Sequence, residues 1–96
     1  MAKATESRDY AGKSADDCFA AARAALPKVG FEIWKMRPIG WLLLANRTTP
    51  EGVVNANFAF RPGAAATLTL SSDRVTQEAL LAMSGEVYAA FEAALG

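Results

Sequence analysis

The chain has 96 residues, 52% of them hydrophobic and 21% charged, and its ten basic residues cancel ten acidic ones. That length gives a single domain, residues 1–96, and that composition argues against disorder. With no histidine and one cysteine, the chain has no Cys–His pair, no internal disulfide and no zinc-type ligand set.

Lys3 to Tyr10 is polar with β-tolerant residues and reads as an edge strand. Ser14 is a good N-cap, and Asp16 and Asp17 sit where the helix dipole favours negative charge. A helix over Ser14 to Val29 follows, with Ala15, Cys18, Phe19, Ala22, Leu26 and Val29 on one stripe. Pro27 predicts an irregular last turn and Gly30 a C-terminal cap. Phe31 to Arg37 and Trp41 to Arg47 read as strands joined at Pro38-Ile39-Gly40. With Pro38 and Ile39 as the turn residues, Met36 faces Trp41 and Trp34 faces Leu43. Glu32, Trp34, Met36, Trp41, Leu43 and Ala45 then share one face, and Phe31, Ile33, Lys35, Leu42, Leu44 and Asn46 share the other. Both faces are largely apolar.

Thr48 to Gly52 makes the next turn. From Val53 to Arg61, Val54, Ala56, Phe58 and Phe60 alternate with more polar positions, which predicts a half-buried strand. Arg61-Pro62-Gly63-Ala64 turns the chain into a strand over Ala65 to Ser71. A three-residue loop aligns Phe58 with Leu68 and Ala56 with Leu70, whereas a two-residue loop mixes the faces, so the hydrophobic pattern selects the longer one. Ser72 or Thr76 caps a final helix reaching Leu95, with Leu80, Met83, Ser84, Val87, Phe91, Ala94 and Leu95 on its stripe. Gly85 permits a close approach to the sheet or a bend.

The predicted fold is α+β: a curved antiparallel sheet of about five strands with two helices on one face, in the order β-α-β-β-β-β-α. This order resembles the TATA-binding-protein-like, or helix-grip-like, architecture of small bacterial domains. The resemblance spans nearly the whole chain and lies in element order, with no shared motif. It implies a sheet surface left bare by the helices.

Gly12-Lys13-Ser14 imitates the end of a phosphate loop, but Ser7 stands where that loop needs glycine, and a helix cap explains the residues. Cys18 lies in an apolar stripe and reads as a small buried hydrophobe. Asp16 and Asp17 point about 100° apart on a helix and make a poor acid–base pair. Glu32 is a lone strand carboxylate. No cofactor, metal or catalytic residue is expected, and the chain reads as a non-enzyme.

Two surfaces remain. Trp34, Met36, Trp41 and Leu43 form a candidate apolar sheet surface for a small apolar ligand, a protein partner or a second copy in a homodimer. Asn55, Asn57, Arg61, Thr67 and Thr69 form a polar face suited to weak nucleic-acid binding. The neutral total charge makes nucleic acid the less favoured partner. The function expected first is therefore a small non-catalytic binding or assembly module. Trp41 to Ala45, the longest apolar run, falls far short of the ~20 residues of a membrane span, and MAKATESRDY lacks a signal peptide's apolar core. A cytoplasmic protein without membrane association is expected.

Overall fold

The computed structural model describes residues 1–96. The elements run β1 (Ala2–Asp9), α1 (Ala15–Lys28), β2 (Glu32–Arg37), a short 3-10 turn (Pro38–Gly40), β3 (Leu42–Thr49), β4 (Gly52–Arg61), β5 (Ala65–Ser72) and α2 (Gln77–Leu95). The five strands make one open antiparallel sheet in the order β1-β5-β4-β3-β2. The chain is α+β, with the predicted element order.

Strand alternation gives β3, β4 and β5 one apolar side, both helices cover that side, and on it β1 carries Glu6 and Arg8 beside Ala2 and Ala4. Ala4, Leu70, Ala56, Ala45 and Ile33 make one row across it; Glu6, Leu68, Phe58, Leu43 and Met36 make the next. Helix α1 lies over β2, β3 and β4, α2 lies over β1 and β5, and the helices pack on each other. Alanines 21, 22 and 25 on the buried side of α1 let it sit close to the sheet. Beneath α2, Phe58, Phe60, Tyr88 and Phe91 form an aromatic cluster with ring centroids 4.8–6.2 Å apart. Tyr88 is fully buried, and its hydroxyl donates to the Glu6 carbonyl at 2.7 Å.

The helix ends follow the capping chemistry. Ser14 Oγ accepts from the Asp17 N–H at 3.0 Å, and Thr76 Oγ1 from the Ala79 N–H at 3.2 Å. Pro27 lies inside α1, whose end tightens through Val29 N–H to Leu26 O at 3.2 Å, before Gly30 reverses the chain at φ +83°. Of the two expectations for Gly85, the close approach to the sheet is not met. Gly85 is exposed with open space around it.

The β4–β5 hairpin has the predicted register, Phe58 opposite Leu68 and Ala56 opposite Leu70. Ala64 N–H closes the turn onto Arg61 O at 3.0 Å. The β2–β3 hairpin departs from it. Met36 pairs with Leu43 and Arg37 with Leu42, not Met36 with Trp41 and Trp34 with Leu43. Pro38 opens a 3-10 turn that Trp41 ends in the left-handed conformation at φ +48°, its N–H on Pro38 O at 3.2 Å. The connection is therefore two residues longer than a tight Pro38-Ile39 turn. A register shift between Ile33 and Lys35 adds a β-bulge at Trp34.

Candidate functional site

The bulge decides where the first tryptophan stands. Ile33 opposite Ala45 and Met36 opposite Leu43 stay on the helix side. Trp34 is the extra residue, and it lies with Lys35 on the side that no helix covers. Its indole is 59% exposed. It borders a shallow depression of about 350 Å³ that also touches Leu44, Asn55, Asn57, Thr69 and Lys3.

On β1, β5 and β4 this open face carries mainly short polar side chains, and towards β2 it carries Leu42 and Leu44. Lys3, Ser71, Asn55, Asn46 and Glu32 cross the sheet in one row. Thr5, Thr69, Asn57, Leu44 and Lys35 form the second, and Ser7, Thr67, Ala59, Leu42 and Arg37 the third. Asp9, Ala65 and Arg61 complete a fourth. Thr5 and Thr69 hydroxyls meet at 3.4 Å, and those of Ser7 and Thr67 at 3.3 Å. Asn55 and Asn57 are exposed on this face.

Charge is distributed unevenly between the sides. The open face carries Lys3, Lys35, Arg37 and Arg61 against Asp9 and Glu32, so four cations outweigh two carboxylates by +2. The compensating acids lie on the helices and in loops. Asp16, Asp17, Glu78, Glu86 and Glu92 belong to α1 and α2.

The polar candidates thus come together: Asn55, Asn57, Arg61, Thr67 and Thr69 all stand on one uncovered face. The apolar quartet does not. Leu43 is fully buried in the core, opposite Met36. Met36 is on the helix side but at the sheet edge, beyond the helices' cover, and is 47% exposed. Trp41 is half-buried against α1, its Nε1 donating to Asp16 Oδ1 at 2.8 Å. Only Trp34 reaches the open face. The extra bulge residue, not the apolar pattern, separates it from the other three.

The remaining candidates have structural roles. Cys18 is fully buried, and burial pushes its thiol up, with Asp17 adding to the effect. Asp16 receives the Trp41 indole N–H, Ser14 caps α1, and Glu32 is exposed at the edge strand. No group of three or more Cys, Asp or Glu side chains lies close enough to hold a metal ion.

One polar cluster escaped the sequence. Arg8 Nε donates to Glu6 Oε2 at 2.7 Å and Nη1 to Glu92 Oε2 at 2.8 Å, with the guanidinium carbon 4.3 Å above the Tyr88 ring centroid. Ser84 Oγ donates to Glu6 Oε1 at 2.7 Å, and Tyr10 Oη to Glu92 Oε2 at 2.8 Å. The Ser84 hydroxyl, then Arg8, hold the Glu6 carboxyl below its ordinary value. Tyr10, then Arg8, do the same for Glu92. Burial pushes the Tyr88 and Tyr10 phenols well up. Each polar group has a partner, and the cluster fastens β1 to α2. The signal that could have pointed to it is Tyr88, which the predicted stripe of the last helix omits although it lies four residues after Ser84 and three before Phe91, on their face.

Compared with known proteins, the chain matches no family model, no curated protein and no solved structure.

Proposed function

We propose that this chain is a non-catalytic binding module that receives single-stranded nucleic acid across the helix-free face of its sheet. The observation that carries the reading is the exposed indole of Trp34, standing on an uncovered five-stranded face whose ionic residues are mainly cations. A free base stacks on an exposed aromatic ring for about 1–3 kcal/mol, whichever base it is. The Asn55 and Asn57 amides and the threonine hydroxyls offer donors and acceptors to base edges and sugars. Lys3, Lys35, Arg37 and Arg61 frame this neutral floor at phosphate-accessible positions. An apolar contact surface has less support, because Leu43 is in the core and the Trp41 indole is held against Asp16.

Fluorescence anisotropy with a labelled mixed-sequence 12-nucleotide DNA strand tests the reading. Four phosphate contacts give a slope of log K on log salt near −3, so affinity falls about 50-fold between 50 and 200 mM salt. Trp34→Ala removes one stacking site and weakens binding about tenfold. Absence of binding at 50 mM salt, or equal binding by Trp34→Ala, overturns the proposal.

A further inference from the structure

The bulge also changes the symmetry of the edge strand. Along β2, Ile33 and Met36 are on the helix side, while Glu32, Trp34, Lys35 and Arg37 are on the open side. From residue 32 to 37 the sides run open, helix, open, open, helix, open, and the order is the same in reverse. A regular six-residue strand alternates and has opposite sides at its two ends. The symmetric order permits β2 to lie antiparallel beside an identical strand, about a twofold axis between Trp34 and Lys35, with each residue beside one on its own side.

The residues so matched are chemically complementary. Glu32 meets Arg37 of the partner subunit, an opposite-charge pair made twice by the symmetry. Ile33 meets Met36 of the partner subunit, two apolar side chains on the helix side. Trp34 meets Lys35 of the partner subunit, a cation beside an indole. We propose that two copies of this chain join edge to edge through β2 and make one continuous ten-stranded sheet.

Two further observations support this edge. β2 is an outermost strand, with five of its six residues exposed and no neighbour beyond it. Of the six exposed large apolar residues, Trp34, Met36 and Ile39 belong to β2 or its following turn. A bulge ordinarily protects an edge from pairing. Here both strands carry it at the axis, so the Trp34–Lys35 step, where two successive residues share the open side, is met by the same step of the partner strand. The opposite edge is less free: Gln77 Nε2 donates to Lys3 O at 3.3 Å, and Tyr88 Oη to Glu6 O at 2.7 Å.

Sedimentation velocity on Glu32→Arg, Arg37→Glu and the double variant tests the proposal without nucleic acid present. Both changes are at exposed positions, and circular dichroism checks that each variant is folded. A six-residue strand joint is small, so the wild-type dimer dissociates at micromolar concentration. Each single variant turns two attractions into two repulsions and weakens the dimer about tenfold or more. The double variant restores both pairs in exchanged order and recovers the wild-type constant to within about threefold. A wild-type chain that is monomeric at several hundred micromolar overturns the proposal. So does a dimer insensitive to the single variants, or one that the double variant fails to rescue.

Discussion

Arg8→Ala tests what fastens the first strand to the last helix. The side chain makes ion pairs with Glu6 at 2.6 Å and Glu92 at 2.8 Å and lies over the Tyr88 ring. The groups are one third to one half exposed, so each ion pair is worth about 0.5–1 kcal/mol. The contact with the ring adds about 0.5–1 kcal/mol. The total is about 2 kcal/mol, or roughly 10 °C in melting temperature for a domain of this size. Thermal melts followed by circular dichroism read that loss, and hydrogen exchange places it at β1 and the end of α2. Glu86→Ala is the comparison, because its pair with Arg47 is looser at 3.7 Å and Glu86 is 60% exposed. Removing it costs less than about 0.5 kcal/mol. Acid supplies an internal control. Glu6 and Glu92 are held below their ordinary carboxyl values in the fold, so their contribution is complete above about pH 4.5 and is lost as pH falls through the lower folded values. The deficit of Arg8→Ala therefore shrinks below pH 4.5. A deficit no larger than that of Glu86→Ala at pH 7, or one that persists undiminished in acid, refutes this account of the cluster.

Three other outcomes follow from the packing. Ser72→Ala leaves the buried Val75 N–H and the Val53 carbonyl without the hydroxyl they share at 3.1 and 2.7 Å, and costs about 1–3 kcal/mol by urea denaturation. Gly52→Ala places a methyl 2.9 Å from Arg74 Cβ at φ +153°, and costs about 2 kcal/mol on the same assay. Cys18, fully buried and held as the thiol, reacts with an aromatic disulfide reagent at the rate of unfolding; reaction within seconds in the native protein contradicts its placement in the core.

The parts of the fold that were legible are those where one register satisfied the apolar pattern and another did not. In β4 and β5 the alternation is strict, so only the loop that sets Phe58 against Leu68 keeps the faces unmixed. The cap at Ser14 was legible because capping is local chemistry, whereas Ser72 and Thr76 were equal candidates for α2, and the structure has Thr76 as its cap. The β2–β3 hairpin was not. Both its faces are rich in apolar residues, so sliding the pairing carried no visible penalty, and the bulge at Trp34 has no marker in the chain. Two consequences followed for the site. Leu43 went to the core and Trp34 to the open face, although spacing had put them together. The polar face was readable because Asn55, Asn57, Thr67 and Thr69 belong to the hairpin whose register was fixed by its pattern. The Arg8 cluster joins residues about eighty positions apart, and its local neighbours gave no sign of which carboxylates it would meet.

β1 pairs with β5 alone, Ala2 opposite Ser72 and Asp9 opposite Ala65. During synthesis β1 therefore has no hydrogen-bonding mate until residues 65–72 have been made. At 5–20 residues per second, that wait lasts about 3–12 s. The meander β2 to β5 needs only neighbouring segments and is complete first, so its rim is the template onto which the waiting N-terminal ribbon closes. An interruption of synthesis before residue 72 would leave two unmatched β-ribbons on one nascent polypeptide, a condition that favours association between chains.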